Sequence, residues 1–480
     1  MKALLETAIE RLKNAGVDYG DARIGLYRYQ NLSARDDIAT NLSSNRSEGI
    51  GIQALIKNGW GFSATQDLTP EGVVKTVDRA VAIAKASAVM ALKASFAEHP
   101  AVTVRWRTPF QIDPFDISIQ EKLDLLLEIN RKMRDRSEIK RAISMFNFTR
   151  EHKFFMNTDG SFYDQLVMRV DGMCSATAIG PGGFESRNYI LTPLNTGYEH
   201  ILSVPWLQEA ERISEEAVEK LRSPFCGEGC ADLVLLPTHT CLVIHETIGH
   251  ATELDRVMGW EADMAGTSFA TIDKLGKLKY GASIFNVIAD RTMTNGRSSI
   301  PLDDEGVQTG QWHLIKDGVL TGYSTTRGTA HYIGEKQSRG CAYADSWSSM
   351  PILRMSNVSI EPGKNGAPTF EELISDTKKG FLVDGMGSFS IDHQRINFQF
   401  GGDAVWRIEN GKRTHMLRGF TYQSKNPEFW NSVDAICNKD EWRPEGVVNC
   451  GKGQPMQQAQ LTHGSSPLRL RNISYGKARI

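Results

Sequence analysis

Two histidines that flank a glutamate, in the run His245-Glu246-Thr247-Ile248-Gly249-His250, constrain the fold of this chain more than any other segment. On a regular α-helix, two imidazoles reach one metal ion when they are four positions apart, because residues i and i+4 differ by only about 40° around the axis. Here the spacing is five positions, which separates the side chains by about 140° on a regular helix. The spacing therefore predicts a local π-bulge, and Gly249 is the residue most able to adopt its altered backbone.

The apolar run Leu242-Val243-Ile244 just before the motif allows a second interpretation. It predicts a buried element, in which the two histidines are core side chains that bind no metal. The metal interpretation makes a more specific claim, since two imidazoles bind zinc and a glutamate beside one of them can act as a general base. On that interpretation the chain is a zinc-dependent peptide-bond hydrolase, with His245 and His250 as ligands and Glu246 as the base.

A third protein ligand is needed, because a catalytic zinc ion takes three protein ligands and keeps one position for water. The candidates near the motif are Glu253, Asp255, His239 and Cys241. Much later in the chain, Cys450 lies in a glycine-bounded turn beside a lysine, where a thiolate is favoured and the backbone can approach a metal closely. Spacing alone does not choose among these residues.

The composition is typical of a soluble globular protein with two domains. The chain has 480 residues, of which 23% are charged and 40% hydrophobic, and its formal net charge is −2. The charges are mixed along the chain, so no basic surface for nucleic acid or for a membrane is predicted. The N-terminus has no signal-peptide core, and no apolar run reaches about 18 residues. We therefore expect a cytoplasmic protein that binds neither nucleic acid nor membrane.

Helix and turn signals predict a domain boundary near residue 225. Apolar periodicity and capping residues, such as Thr69 before Pro70, predict helices in the first domain, with strands between them. These helices cover about residues 4–12, 70–84, 118–129 and 207–221. A turn-rich run, 223–229, follows them. The predicted domains are 1–225 and 226–480.

The second domain is predicted to be predominantly antiparallel sheet. A strand over 231–237 leads into the motif helix, and a later helix covers about 370–378. Asp317-Gly318 and Asn410-Gly411 each lie between apolar stretches and match type I′ hairpin turns. The predicted fold class is thus α+β, with a mixed α/β N-terminal domain and a β-rich C-terminal domain that carries the metal-binding helix.

A few charged and aromatic residues outside the motif have competing interpretations. The run Asp303-Asp304-Glu305 is expected to be a solvated turn, and the alternative is that it orients substrate or a ligand histidine. Lys452 is either a surface charge or a group that holds an oxyanion. Trp60, Trp312 and Trp406 are expected to be core or interface aromatics.

The chain resembles the TldD/PmbA family of metallopeptidases, and its motif places it nearer the TldD branch than the PmbA branch, which lacks the motif. The similarity covers nearly the whole chain and rests on segments in the family's order, in addition to the histidine motif. These segments are 51–55, 59–65, 301–306, 354–357, 385–388, 408–412 and 450–452. The resemblance implies that His245, His250 and Cys450 ligate zinc and that Glu246 is the base.

Substrates and partners are also implied by the resemblance. It implies that the substrates are unfolded or flexible peptides, and that the chain forms a homodimer or a heterodimer with a PmbA/TldE-like subunit. It leaves open a non-catalytic zinc-binding subunit, or a DNA gyrase modulator that acts through protein binding. A peptidase of the dipeptidyl-peptidase III type shares the His-Glu-x-x-Gly-His pattern, but its third ligand comes from a downstream Glu-Glu helix motif that has no counterpart here at a suitable distance.

Overall fold

A mostly antiparallel sheet with helices on one face forms the first part of the chain. The structure, a computed structural model, describes residues 1–91, 96–453 and 455–477. Over these residues the strands of the sheet are β1 (Tyr19–Arg35), β2 (Ile38–Ile56), β3 (Gly59–Thr65), β4 (Thr103–Arg107), β5 (Ile139–Asn157), β6 (Phe162–Gly180), β7 (Gly183–Ile190) and β8 (Leu194–Asn195). Their order is β3-β2-β1-β5-β6-β4, with β7 and β8 also paired to β6. Only β4 runs parallel to its neighbour among these described pairs.

The helices of this part cover one face of the sheet. They are α1 (Lys2–Asn14), α2 (Pro70–Ser87), α3 (Ile119–Met133), α4 (Glu199–Leu202) and α5 (Trp206–Arg222). Side chains alternate between the faces of a strand, so Ile24 and Leu32 of β1 lie on the same face. Ile24 packs near α1 and α2, while Leu32 packs near α3 and α5. The four helices predicted here are confirmed.

The opposite face of the sheet is polar and is buried against the second part of the chain. Arg23 on β1 donates from Nη2 to the backbone oxygen of Ser349 at 2.6 Å. Lys153 on β5 donates to Asp304 Oδ2 at 2.9 Å, and Tyr163 on β6 donates to Asp304 Oδ1 at 2.6 Å. Buried polar groups need such partners, and the two parts of the chain supply them to each other.

The run Asp303-Asp304-Glu305 is therefore not a solvated turn, and the prediction for it is wrong. Asp303 and Asp304 are buried. Burial alone would raise the pKa of Asp304, but Lys153 and Arg23 outweigh it and hold that pKa at about 2. Local sequence could not show this, because the compensating cations lie on strands far earlier in the chain.

The second part of the chain is built from several small sheets and one larger sheet. Its strands are β9 (Gly229–Leu235), β10 (Val287–Asp290), β11 (Gln311–Lys316), β12 (Val319–Leu320), β13 (Ala342–Tyr343), β14 (Ile352–Leu353), β15 (Asn357–Ile360), β16 (Lys379–Ile391), β17 (Asn397–Glu409), β18 (Lys412–Leu417), β19 (Phe420–Lys425), β20 (Val433–Ile436), β21 (Arg443–Lys452), β22 (Gln457–Ser465) and β23 (Leu468–Lys477). Its helices are α6 (Pro237–Ile244), α7 (Leu254–Val257), α8 (Phe370–Asp376) and α9 (Asn426–Asn431).

The larger sheet has the order β16-β9-β23-β19-β17-β18, with β20 paired to β23. Its described pairs are antiparallel except β9 with β16. Both predicted hairpin turns are present, since Asp317 and Asn410 have φ of 50° and 51°, and each is followed by a glycine of positive φ. The α+β fold class is confirmed.

One predicted strand end differs from the structure by two residues, and the predicted roles of the tryptophans are confirmed. The predicted strand over 231–237 ends earlier, at Leu235, because Pro237 opens α6. Trp312 and Trp406 are buried in the core and Trp60 packs against Tyr19, as expected for structural aromatics. Within the described residues, no helix is long and apolar enough to cross a membrane.

Asp21, on the polar face of β1, is expected to make stability depend on pH. Both its carboxylate oxygens are buried. Burial raises its pKa to about 7 against the opposing effect of Arg23. The folded state then holds a proton that the unfolded chain releases near pH 4, so stability falls as the pH rises from about 4 to 7.

We expect Asp21→Asn to remove this loss, because the amide has nearly the same shape and carries no charge. The variant and the parent should have the same free energy of unfolding near pH 4. At pH 8 the free energy of unfolding of the variant should be higher by roughly 3 to 4 kcal/mol. Thermal unfolding at pH 4, 6 and 8 measures the difference, with the exposed Asp116→Asn as control. An equal pH profile for Asp21→Asn and the parent would reject this assignment.

Candidate metal centre

The histidine motif forms a single turn of π-helix at the end of α6. The π-helix covers His245–Gly249, and a short 3₁₀ turn follows at His250–Thr252. The backbone N–H of His250 donates to the carbonyl oxygen of His245, which is the i+5 bond that defines this geometry. The two imidazole centroids lie 4.8 Å apart. The predicted π-bulge is confirmed.

Gly249 permits this turn through its small size. Its φ of −53° and ψ of −61° are ordinary right-handed values that other residues adopt, so the prediction of an altered backbone at this glycine is wrong. A Cβ atom at Gly249 would lie 2.6 Å from Met355 Sδ, which is closer than two such atoms can approach. The glycine lets the segment around Met355 pack directly on the motif.

Cys450 reaches the motif because strand β21 contains a β-bulge. The hairpin of β21 and β22 packs on α6, and its register shifts between Val447 and Cys450. Residues three positions apart on a regular strand point to opposite faces. The extra residue of the bulge turns both side chains inward, and both are buried in the same core.

His245, His250 and Cys450 bring one donor atom each to a common point. These atoms all lie within 4.8 Å of one another, and Cys450 Sγ is 3.5 Å from His250 Nε2. A tetrahedral zinc ion with bonds of about 2.1 Å to nitrogen and 2.3 Å to sulfur would place those two donors about 3.6 Å apart. The types of donor and the separation of this pair therefore fit zinc.

A buried partner orients each imidazole through the ring nitrogen that faces away from the donor cluster. His250 Nδ1 lies 2.7 Å from Glu253 Oε2, and His245 Nδ1 lies 2.8 Å from His463 Nε2. His463 Nδ1 lies 3.0 Å from the carbonyl oxygen of Val358 and 3.1 Å from its backbone nitrogen. In the tautomer that donates to the carbonyl oxygen, His463 Nε2 accepts the Nδ1–H of His245. That tautomer directs the lone pair of each Nε2 toward the cluster.

Both imidazoles are neutral in this environment, as metal ligation requires. Burial lowers the pKa of His250 to about 3, against the opposing effect of Glu253. Burial also lowers the pKa of His245 well below its ordinary value, and His250 and His463 add to this shift. Neither ring carries a proton on both nitrogens near neutral pH.

Arg354 contacts the sulfur of Cys450. Its Nη2 donates to the Cys450 carbonyl oxygen at 2.7 Å and to the sulfur at 2.9 Å. Burial raises the pKa of the Cys450 thiol to about 11, while Arg354 opposes the rise. The sequence predicted that a neighbouring lysine would favour the thiolate, but the cation that touches the sulfur is Arg354, almost a hundred residues earlier.

Lys452 is neither a surface charge nor a holder of an oxyanion in this structure. It is buried, and its Nζ lies 3.1 Å from Glu253, 2.9 Å from Asp255 and 3.1 Å from Glu261. Burial would raise the pKa of Glu253, but Lys452 and His250 outweigh it and lower that pKa well below its usual range. Lys452 thus keeps charged the carboxylate that orients His250.

Glu246 lies beside the donor cluster and is not part of it. Its Oε2 accepts a hydrogen bond from Arg395 Nη1 at 2.5 Å. Burial raises the pKa of Glu246, and Arg395 opposes the rise. The residue is buried, with 8% of its surface exposed.

The other candidates for a third ligand have different roles. Glu253 and Asp255 form the cluster around Lys452. His239 is held by the Gly385 carbonyl and Tyr422, and Cys241 contacts the Thr238 carbonyl at 3.3 Å. Among the described residues, the potential metal-binding group comprises His245, His250 and Cys450. Sequence reasoning missed His463 and Arg354, which carry no local signal, although Arg354 begins one of the segments that support the resemblance.

Comparison with protein families supplies three matches along the chain. Models of the PmbA/TldA metallopeptidase family match residues 20–84 as domain 1, 112–223 as the central domain and 228–474 as the C-terminal domain. The chain belongs to the PmbA/TldD metallopeptidase family. The first two matched segments share the eight-stranded sheet, and the third contains the donor cluster.

The alignments with individual relatives cover almost the whole length of this chain. A metalloprotease of Methanocaldococcus jannaschii is 28% identical and the alignment covers 92% of this chain and 94% of the relative. A zinc metalloprotease TldD homolog of Saccharolobus solfataricus is 21% identical, with 98% of each chain covered. The crystal structure of a Thermotoga maritima protein, described as a candidate modulator of a DNA gyrase, has the same fold, with a TM-score of 0.79, 15% identity and 99% of each chain covered.

Proposed function

We propose that this chain is a zinc-dependent peptidase whose zinc ion is held by His245, His250 and Cys450. The convergence of these three donors within 4.8 Å is the observation that carries the proposal. Three protein ligands leave one coordination position open, which is typical of catalytic zinc, whereas structural zinc sites have four protein ligands. Membership of a metallopeptidase family and a relative named as a zinc metalloprotease support the same metal and reaction.

Glu246 is the residue that would move protons in peptide hydrolysis. When bound, zinc lowers the pKa of water and polarises the scissile carbonyl. The Glu246 carboxylate follows a ligand in the chain, so it can accept a proton from the attacking water and deliver it to the departing amine nitrogen. Arg395, 2.5 Å from Glu246 Oε2, holds the carboxylate in position and favours its charged, proton-accepting form.

The proposed substrates are unfolded or flexible peptides. The donor residues are buried, with His250 at 5% and Cys450 at 4% exposure, and Glu246 retains 8%. A folded protein surface cannot approach groups that are so enclosed, so the proposal takes an extended segment as the substrate. Association with a second chain, either identical or of the PmbA/TldE type, remains part of the proposal and rests on the family resemblance.

The alternative proposal is a zinc-binding subunit that regulates a partner and does not cleave peptides. It is favoured by the Thermotoga maritima neighbour that is described as a candidate modulator of a DNA gyrase. In that case the metal would stabilise the fold around α6 and β21, and Glu246 would have no proton to transfer. The alternatives differ in whether the zinc-loaded chain cuts peptides.

Zinc removal tests the proposal directly. We expect a chelator to abolish cleavage of a library of unstructured fluorogenic peptides, and we expect one equivalent of zinc to restore it. Magnesium should not restore cleavage, because imidazole and thiolate ligands favour zinc over harder cations. Elemental analysis and circular dichroism would show that the metal has left and the fold persists.

Two outcomes would contradict the proposal in different ways. Cleavage that persists in metal-free protein would reject zinc dependence. A zinc-loaded protein that cuts no member of the library would favour the non-catalytic alternative.

A further inference from the structure

A pocket of about 380 Å³ lies between the edge strand β4 and the segment 291–309. None of the donor residues of the metal centre lines it, among the residues that the structure describes. Its walls are largely apolar and include Val104, Trp106, Met293, Ile300 and Leu302. Pockets of about 300 Å³ or more with apolar walls and few polar groups are typical of small-molecule sites.

Arg291 lines this pocket and forms no ion pair with any residue that the structure describes. Its side chain is 2% exposed, and its Nε and Nη1 atoms have no hydrogen-bond partner. No ion pair or side-chain hydrogen bond involves its guanidinium within the described parts of the chain. An arginine stays charged at any physiological pH, and a buried unpaired charge is strongly unfavourable. An anionic group in the pocket would remove that penalty.

The neighbouring acid, Asp303, forms no ion pair or hydrogen bond with Arg291. Its oxygens accept hydrogen bonds from the backbone N–H groups of Glu305, Val307 and Ala342. Burial raises the pKa of Asp303 to about 6, although Arg291 and those backbone bonds oppose the rise. Its oxygens are therefore engaged by backbone N–H groups, and its carboxylate attracts Arg291 without forming an ion pair with it.

The other arginines in this region are already paired. Arg169 donates to Glu151 at 2.8 Å, and Arg297 forms an ion pair with Asp171 at 2.5 Å. Of these three arginines, Arg291 is the one that forms no ion pair within the described residues.

Asn195 adds an unpaired acceptor to the same pocket. Its Nδ2 donates to the carbonyl oxygens of Gly296 at 2.7 Å and Arg297 at 3.3 Å, which fixes the orientation of the amide. Its Oδ1 is buried and has no hydrogen-bond partner among the described residues. The pocket thus offers a cation for a carboxylate, an acceptor for an N–H group and apolar walls for a hydrocarbon side chain.

We propose that this pocket binds an apolar amino-acid residue with a free carboxylate, either as a free amino acid or as the C-terminal residue of a peptide. The carboxylate would pair with Arg291, and the N–H group of the same residue would donate to Asn195 Oδ1. Binding involves no covalent step and does not require the proposed zinc chemistry.

Calorimetry on the full chain with N-acetyl-L-leucine and N-acetyl-L-leucinamide tests the pairing with Arg291. The acid should bind, and the amide should bind about 10- to 100-fold more weakly because a charge-assisted hydrogen bond is lost. Free L-leucine and Gly-Gly-Leu, compared in the same way, separate the two sources of the carboxylate. Equal binding of acid and amide would overturn the proposal. Binding of chloride or sulfate with the same affinity as the acid would also overturn it.

Arg291→Met should abolish the preference for the acid and leave thermal stability unchanged or higher, since it removes an unpaired buried charge. The matched control is Arg105→Met, because Arg105 is exposed on β4 and points away from the pocket. Val104→Phe narrows the pocket without altering its charge, so it should also weaken the binding of N-acetyl-L-leucine. The assignment would be overturned if Arg291→Met bound the acid with the parental affinity. If Arg291→Met does not fold, parental affinity in Val104→Phe would overturn it.

Discussion

Replacing Glu246 by glutamine is expected to leave the zinc content unchanged and to slow peptide cleavage by about 10²- to 10⁴-fold. Glutamine keeps the shape of the side chain and an oxygen that can accept the hydrogen bond from Arg395 Nη1. It cannot accept a proton from water near neutral pH. The donors His245, His250 and Cys450 do not include Glu246, so metal binding should persist. Single-turnover cleavage and elemental analysis on the same sample measure both effects.

Glu253→Gln is the matched control for that variant. Glu253 is also a buried glutamate near the motif, but its Oε2 lies 2.7 Å from His250 Nδ1 and orients a ligand. Loss of such an outer partner costs about 10- to 100-fold in metal affinity. Excess zinc should therefore rescue Glu253→Gln and leave Glu246→Gln slow. Parental cleavage rates in Glu246→Gln would remove Glu246 from the role of base.

Much of the fold could be predicted because its signals are local. Thr69 caps α2 through its side chain, which accepts from the backbone N–H of Gly72 at 3.1 Å, and Pro70 opens the helix. Asp317 and Asn410 adopt the positive φ that a type I′ turn requires. In each case the residues that form the signal also form the contact. The π-turn belongs to the same class, since the spacing from His245 to His250 requires it.

The polar face of the first sheet could not be predicted, because its partners are distant in the chain. Lys153 and Tyr163 reach Asp304 from strands about 150 and 140 residues earlier. A pattern of alternating polar residues on a strand predicts a solvated face, and the first sheet has that pattern. The second part of the chain covers this face with acids and carbonyl oxygens.

Cys450, the third donor of the site, could not be predicted from local sequence either. Spacing left Glu253, Asp255, His239, Cys241 and Cys450 as alternatives. The sulfur reaches the motif through a bulge in β21, which shifts its register against β22. Nothing in the local sequence fixes the position of that bulge. The family resemblance implied Cys450 because it carries information from other chains about which distant segments meet.

Replacing Cys450 by alanine is expected to lower zinc affinity on the order of 10³-fold and to abolish cleavage at ordinary zinc concentrations. Structural zinc sites, which have four protein ligands, bind with about 10 to 16 kcal/mol in total, so one ligand accounts for roughly 3 to 4 kcal/mol. The fold should persist without the sulfur, because Arg354 keeps its hydrogen bonds to the carbonyl oxygens of Cys450 and Gln457. Competition with a fluorescent zinc chelator measures the affinity.

Cys241→Ala provides the control for the loss of a buried sulfur, because Cys241 lies in α6 close to the motif and contacts only backbone oxygens among its described hydrogen-bond partners. This variant should bind zinc with the parental affinity. If Cys450→Ala binds zinc as tightly as Cys241→Ala does, the thiol is not a ligand, and the metal must be held by the two imidazoles with an oxygen donor. Glu246 would then be the carboxylate to test, since it adjoins His245 in the chain and pairs with Arg395, whereas Glu253 is engaged by Lys452.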